Sequence, residues 1–447
     1  MKFEHLWQII ENECKSLGIK EYELYYENVS DTSVELLKNE ISSFSSSLTG
    51  GVCLRLLNEG KMGYASSELI TDEELRELPL RAIENAKNTE KLDTVGIFHG
   101  SKSYNTPENE ANDSSLSTEK IKEIATEMQK ALYASSDKIT DGTQSGASSV
   151  EREVRIANSH GLRLSRKVCA GVIMAEAVVR VGDESEADYT VKNLNDGMCL
   201  ENIASEVSSS ALSKIGAGTV ASGKYATVIS GKQMRTLLSV YSQVFSARNV
   251  QMGMSLLRGR LGEKIAADCI TITDDPCRNS SSIHFDAEGV ATYRKAVVEN
   301  GVLKTFLHNR ESALRDGVET TGNASKASYS SPVGISPYVF CIEAGNYTLD
   351  ELFKKAENGV YITEMKGLHA GANAITGDFS IECAGFRIEN GKLSSAIKSF
   401  TIAGNFFELI KNVDSLSSNL EIGVTGGGFT TFGAPDALIF NAGIAGK

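Results

Sequence analysis

The sequence predicts an α+β protein: N-terminal α/β units carrying antiparallel sheets, followed by a β-rich, barrel-like C-terminal domain. Three observations predict it. Helical apolar stripes dominate the first half of the chain, as in Phe3, Leu6, Ile9 and Ile10 on one face of the opening segment. Residues 366–405 instead carry glycine at 367, 371, 377, 385, 391 and 404 among small and β-prone residues. Glycine accepts positive φ and has no Cβ, so this spacing suits strands that turn often and approach closely. Finally, Asn300-Gly301 and Asn390-Gly391 each separate strand-like runs, the strongest short hairpin signal.

Taken in order, residues 1–90 form a first unit. After the opening helix, Val34 and Leu36 alternate with polar neighbours, as on a half-buried strand. Asn58-Glu59-Gly60 reads as a hairpin turn. Thr71 is an N-cap, with Glu74 completing a capping box for a helix running through Ala86. Residues 91–116, rich in Ser, Asn, Asp and Glu, read as a linker or long loop.

Residues 117–221 form a central unit that packs with the first. Ser117 caps a helix with Ile121, Ile124, Ala125, Met128, Ala131 and Leu132 on one stripe. Strands follow over about 140–195, with a turn at Asn158-Ser159-His160-Gly161. The nearly continuous small and apolar run 168–181 suggests a strand buried on both faces, and a helix near 200–215 closes the unit.

Residues 222–447 form the β-rich domain. It opens with a strand and a helix over 231–246 that buries Met234, Leu237, Leu238, Tyr241 and Phe245. A short helix is expected at Leu349–Ala356. The echo between the two Asn-Gly turns suggests hairpins of one sheet.

The 447 residues carry a net charge of −13 and no Lys/Arg cluster, which argues against direct nucleic-acid binding. No apolar run approaches the ~20 residues that span a bilayer. The opening residues lack the basic-then-apolar pattern of a secretory leader, so the expected location is the cytoplasm. Eight scattered cysteines without a C-x-x-C read as reduced, mostly buried residues.

Few residues offer chemistry. None of the six histidines has a histidine partner three to five residues away. His284, Asp286 and Glu288 share one face if the segment is an extended strand. They are either convergent metal ligands or a solvated strand end. His369 lies in the glycine-rich block, as a ligand contact or a turn histidine. Cys383 lies there too, with no identified base. The segments TGDFS and GVTGGGFTTFG lack a P-loop lysine. Two readings of 366–391 stay open. Its strands offer an edge to an extended peptide, with Gly371, Thr376, Gly377, Asp378 and Phe379 nearest it. Alternatively the glycines only permit tight turns in a curved sheet.

Five segments, in order, resemble the TldD/PmbA family: KNEISSFSSSLTGGVCLRLLNEGKMGYASS, SLLRGRLGEKIAADCITITDDP, FDAEGVATYRKAVVENGVLKTFLHNRESA, TGNAS and TGDFSIECAGFRIENGKL. The family includes zinc metallopeptidases and partner subunits without the metal site. Its zinc-bearing branch carries H-E-x-x-x-H on the helix before the second of these segments, and a cysteine near the C-terminus. This chain has Ser239, Val240 and Val244 at the motif positions and Thr425 in the region of the cysteine. Valine neither ligates a metal nor accepts a proton.

The resemblance implies a PmbA/TldE-type subunit, without zinc of its own, of a TldD/TldE-type metalloprotease acting on peptides or unfolded polypeptides. It further implies a zinc-bearing TldD-like partner and a homodimer in isolation. Two alternatives accompany it. One is an autonomous metallo- or thiol-dependent peptidase with a relocated site. The other is a non-enzymatic, gyrase-modulator-like protein-binding partner.

Overall fold

The computed structural model describes residues 2–89, 96–105, 116–194, 198–278, 283–424 and 430–446, with only the backbone at 424. Its longest alternating stretches pair into one antiparallel sheet. The strands are β1 (Glu21–Leu37), β2 (Glu40–Asn58), β3 (Lys61–Ser67), β4 (Gln144–Asn158), β5 (Arg163–Val181) and β6 (Glu184–Asn193). Their spatial order is β3-β2-β1-β4-β5-β6. The first two units therefore share a sheet, joined along β1 and β4 from Glu23↔Asn158 to Leu37↔Gln144. At the β2–β3 turn, Glu59 and Gly60 both take positive φ, 51° and 76°, as the twist of a two-residue hairpin requires.

Four helices cover one face of this sheet. They are α1 (Phe3–Ser16), α2 (Asp72–Lys87), α3 (Thr118–Ser135) and α4 (Leu200–Ser213). Leu6, Ile10 and Leu75 pack on Leu24, Leu54 and Leu56. Met128, Leu132 and Ala204 pack on Ile173, Ala175 and Ala177. The caps follow the sequence in part. Ser117 accepts from the Lys120 N–H and Thr71 from the Glu74 N–H. The expected box at Thr71 is half made, because the Glu74 carboxylate takes the Arg81 guanidinium instead.

The run 168–181 is not buried on both faces. Ile173, Ala175, Ala177 and Val179 are buried, while their alternate neighbours are partly exposed. An antiparallel strand under one helical layer needs only one apolar face.

The C-terminal domain opens with β7 (Gly223–Ile229) and helix α5 (Gly231–Tyr241), whose end tightens into a 3-10 turn over Ser242–Phe245. Then come β8 (Ile272–Asp274), β9 (Lys295–Glu299), β10 (Val302–Leu303), β11 (Ala324–Ser325), β12 (Gly334–Ile335) and β13 (Val339–Ile342). The chain ends with β14 (Gly359–Lys366), β15 (Asp378–Glu389), β16 (Lys392–Asn405), β17 (Val413–Leu416), β18 (Glu421–Val424), β19 (Thr431–Ala434) and β20 (Ala437–Ala445).

The order β16-β15-β14-β7-β20 closes on itself where β20 pairs back onto β16 at Thr401↔Ala445 and Ile402↔Ile444. This is a five-stranded barrel. A second sheet runs β10-β9-β8-β13-β19-β18. α5 packs against β14 of the barrel and against β18 and β19 of the second sheet. Its Met234, Leu237, Leu238 and Tyr241 join a core with Phe340, Phe379, Ile381 and Phe406. The expected helix at Leu349–Ala356 is present, with a complete capping box at Thr348 and Glu351.

The two Asn-Gly turns are both hairpins, with Asn300 and Asn390 at φ 48° and 52°. They do not belong to one sheet. The first joins β9 to β10 in the second sheet, and the other joins β15 to β16 in the barrel. A turn fixes the local twist of its own two strands and says nothing of which sheet receives them.

Several glycines of 366–405 are required by close approach. A Cβ on Gly385 would lie 1.9 Å from the Tyr361 carbonyl oxygen on the neighbouring strand. Gly385→Ala is therefore expected to cost about 1–3 kcal/mol. Gly443→Ala, where a Cβ meets nothing within 4 Å, should stay within about 0.5 kcal/mol of the parent. Paired urea unfolding curves measure both.

Candidate functional site

Helix α5 begins where Ser230, extended at φ −63° and ψ 151°, breaks from β7. The Gly231 N–H donates to Asp436 Oδ1 at 3.0 Å. Further along, the Ser239 hydroxyl donates to the Thr236 carbonyl at 2.8 Å, a bond within its own helix. Val240 packs against the core at its margin, and Val244 is buried in it. A hydroxyl and two hydrocarbon side chains do not fit a zinc site of imidazole and carboxylate type. Thr425 lies outside the described residues. Among the described residues, no group of three or more His, Cys, Asp or Glu is placed to hold a metal ion.

The glycine-rich block meets α5 directly. The Tyr241 hydroxyl donates to the Asp378 carbonyl at 3.1 Å, and its ring stacks on Phe406 at 4.5 Å. Around that contact, the chain closes on itself. Asn405 Nδ2 donates to the Thr376 carbonyl at 2.8 Å and to Asp378 Oδ1 at 2.9 Å. Gly377 sits at φ 80° against the Phe407 ring, Gly371 abuts the Ser380 carbonyl, and Phe379 is buried. β14 and β15 have paired neighbours on both sides, and segment 371–373 flanks the start of β15. Where β14 pairs with both β7 and β15, over Gly359–Ile362, and where β15 pairs with both β14 and β16, from Glu382 on, the backbone has no free edge for a further strand. His369 is exposed on a short helix, Leu368–Gly371.

His284, Asp286 and Glu288 do not share one extended face, because the chain turns at 286–289. Asp286 drives the turn. Its Oδ1 accepts the N–H groups of Glu288 and Val290 at 2.8 and 2.9 Å, and its Oδ2 accepts that of Ala324 at 3.0 Å. Glu288 points elsewhere. Its Oε1 takes Arg55 Nη1 at 3.1 Å and its Oε2 takes the Arg310 N–H at 2.9 Å. Arg55 also donates through Nε to Glu23 Oε1 at 2.8 Å.

These groups are buried where the helix-free face of the first sheet meets the C-terminal domain. Tyr25, Cys53 and Ile156 there contact Phe285, Ala287 and Ala324. The one mark of this junction in the sequence is the alternation Glu23, Tyr25, Glu27 on one face of β1, which looks solvent-facing until a partner covers it.

Cys383 is buried, its thiol is pushed up to about 12 by burial, and its sulfur lies 3.5 Å from the Ile381 carbonyl. A thiol in that state is a poor nucleophile.

An open cleft of about 770 Å³ lies between β6 and α4 on one side and the start of α5 on the other. Tyr189, Ser230, Lys232, Arg235, Tyr361 and Glu421 are among its walls. Lys232 Nζ donates to the Tyr189 carbonyl at 3.0 Å and lies 4.6 Å from the centre of that ring. Arg235 rests on the backbone of Gly423, where a Cβ would lie 1.8 Å from its Nη1. Burial lowers the Lys232 ammonium and the Arg235 guanidinium from their ordinary values and raises the Glu421 carboxyl.

Sequence models of the PmbA/TldA metallopeptidase family match this chain as domain 1 over residues 22–86, as the central domain over 111–215 and as the C-terminal domain over 222–446. An uncharacterized protein of Methanocaldococcus jannaschii is 30% identical over 93% of this chain and 95% of its own. Metalloprotease PmbA of Escherichia coli O157:H7 is 24% identical over 87% of this chain and 85% of its own. A crystal structure from Thermotoga maritima, described as a candidate modulator of a DNA gyrase, superposes with a TM-score of 0.87 at 28% identity, covering 99% of this chain and 100% of that one. TldE from Thermococcus kodakarensis shares the fold, with a TM-score of 0.87 at 23% identity and 99% of each chain covered.

Two outcomes check the site. Arg55→Met should destabilise the protein by about 3–5 kcal/mol, because it removes the guanidinium bonded to the buried Glu23 and Glu288 carboxylates, and chemical denaturation reads this directly. A disulfide-exchange reagent should modify the exposed Cys199, Cys269 and Cys277 in the native protein and reach Cys383 only after unfolding. Peptide mapping of the labelled thiols decides it.

Proposed function

This chain belongs to the PmbA/TldA metallopeptidase family, and from that premise we propose that it is a PmbA/TldE-type subunit of a TldD/TldE-type metalloprotease. It contributes scaffold and binding surface for peptides or unfolded polypeptides. The zinc chemistry comes from a TldD-like partner chain that carries H-E-x-x-x-H. In isolation the subunit is a homodimer, and it works in the cytoplasm.

The observation that carries this reading is the state of α5. Where the zinc-bearing branch has two imidazoles and a carboxylate, this helix has Ser239, Val240 and Val244. The serine already donates to the Thr236 carbonyl, and the valines have no lone pair to give. The helix still sits between the barrel and the second sheet, so the scaffold persists without the ligand set. No catalytic residue is assigned to this chain. A second reading, a protein-binding partner without proteolysis, draws on the description of the Thermotoga maritima relative as a candidate gyrase modulator.

Elemental analysis joined to a peptidase assay tests the proposal. The purified chain is expected to hold well below one zinc per protomer and to cleave no peptide alone. Chelator-sensitive cleavage should appear when an H-E-x-x-x-H relative from the same organism is added. Stoichiometric zinc with cleavage by this chain alone would overturn the subunit reading. A complex with such a relative that cleaves nothing would favour the second reading.

A further inference from the structure

Two long strands of the first sheet run on past their outer neighbours. β3 pairs with β2 only from Val52 to Asn58, and β6 pairs with β5 only from Val172 to Val181. The bare stretch of β5 is defended. It carries Arg163, Arg166 and Lys167, and Arg166 reaches across to the Phe285 carbonyl at 2.5 Å. Charge along an edge discourages a further strand.

β2 has no such defence. From Ile41 to Gly51 it carries no charged residue and no proline, and its one bulge, at Ser42, lies by the hairpin tip. Among the described residues, no strand pairs with its outer side there, and residues 40–49 are all exposed. The backbone is turned for pairing. A two-residue hairpin makes Asn58 and Lys61 a hydrogen-bonded pair, so the even-numbered residues of β2 direct N–H and C=O toward β3. Beyond Gly51 the even-numbered residues keep that direction and meet no strand.

The side chains add an independent mark. Phe44 lies opposite Val34 and Leu48 opposite Ser30, and Val34 is buried against Ile121 and Ala125 of α3. Residues directly opposite share a face, so Phe44 and Leu48 stand on the helix-bearing face, yet they are 49% and 72% exposed. Ser43, Ser45 and Ser47 form the other face.

We propose that this edge of β2 pairs, antiparallel, with the same edge of a second copy of the chain, joining the two sheets across a two-fold axis at Ser45. The proposal rests on the reading of a homodimer in isolation and names its contact. The axis follows from the two ends of the bare stretch. The hairpin tip after Leu37 closes one end, and Ser67, opposite Val52, closes the other. A copy laid antiparallel therefore spans Glu40 to Gly50, with Ser45 in the middle. Phe44 then faces Ser46 of the second copy and lies diagonal to its Phe44 and Leu48, within reach of an aromatic ring. A chain of net charge −13 repels its own copies, but a stretch with no ionisable residue sets no like charges opposite each other. One strand pair is a small interface, so a dissociation constant on the order of micromolar is expected.

Sedimentation velocity of the full-length chain over a concentration series spanning that range tests this. The parent protein is expected to pass from monomer to dimer. Leu48→Lys, and Ser46→Pro, which removes only an outward N–H, should each weaken association by at least about tenfold, with the far-ultraviolet spectrum and unfolding midpoint of the monomer kept. Val318→Lys, at a comparably exposed residue of the C-terminal domain, should leave association unchanged. Ser45→Cys, with Cys199→Ser, Cys269→Ser and Cys277→Ser, should form an intermolecular disulfide under mild oxidation, because a non-hydrogen-bonded antiparallel pair brings the Cα atoms to about 4.5 Å. Ser16→Cys in the same background should not. A parent that stays monomeric throughout would overturn the proposal together with the homodimer reading. A dimer indifferent to both Leu48→Lys and Ser46→Pro would overturn this contact and leave the homodimer reading standing. A dimer in which Ser45→Cys does not cross-link would overturn the Ser45 axis.

Discussion

Arg55 lies between two carboxylates from distant parts of the chain, Glu23 on β1 and Glu288 in the turn after His284. Much of the arrangement above depends on that buried contact. The first sheet has one face covered by helices and one without them, and the second face must be buried by something else. The C-terminal domain does this with Phe285, Ala287 and Ala324 over Tyr25, Cys53 and Ile156. That apolar cluster is small, so shape alone fixes the docking weakly. A guanidinium held between two carboxylates fixes it in position and angle. Replacing such a triad by well-packed apolar residues can leave stability unchanged, so its main contribution is registry. Arg152 repeats the device nearby, bonding Glu27 through Nε at 3.1 Å and the Lys326 carbonyl through Nη2 at 3.1 Å.

The far edge of the sheet is seated by contacts of its own, Lys398 on Glu186 at 2.5 Å and Lys232 on the Tyr189 carbonyl at 3.0 Å. β6 is the last strand on the side away from β3, and it forms one wall of the cleft whose other wall is α5. The width of that cleft follows from how the sheet is seated on the C-terminal domain. α5 itself has two tasks. Its buried face ties barrel to second sheet through Met234, Leu237 and Leu238. Arg235 and Ser239, one turn apart, lie outside that apolar face. Val240 packs on the margin of that core and Val244 is buried within it, so hydrocarbon at these two positions adds to the packing that holds the helix in place.

Local features of this fold are legible in the sequence because they rest on residues a few positions apart. The Ser117 cap, the Thr348–Glu351 helix start and the Asn-Gly hairpins are of this kind. What the sequence does not show depends on partners far along the chain, separated by 32 residues for Arg55–Glu23, 125 for Arg152–Glu27 and 233 for Arg55–Glu288. Glu23 and Glu27 look like the polar side of a half-exposed strand, and only the remote Arg55, Arg152 and Glu288 make them interior. The run 168–181 looks doubly buried because small residues serve equally on a crowded or an open face. Asp286 and Glu288 invite a metal reading while the segment is taken as extended. Once Asp286 accepts the N–H two residues on, the pair diverges.

The glycine-rich block shows the same limit in its functional form. Frequent glycine allows either a strand edge open to a guest or a backbone pressed against its neighbours. Composition does not separate the two. Strand order does, because β15 lies between β14 and β16, and β14 lies between β15 and β7 over Gly359–Ile362. A strand so enclosed has no unpaired N–H or C=O row to extend. Along the residues so paired, no main-chain edge is left for an extended peptide.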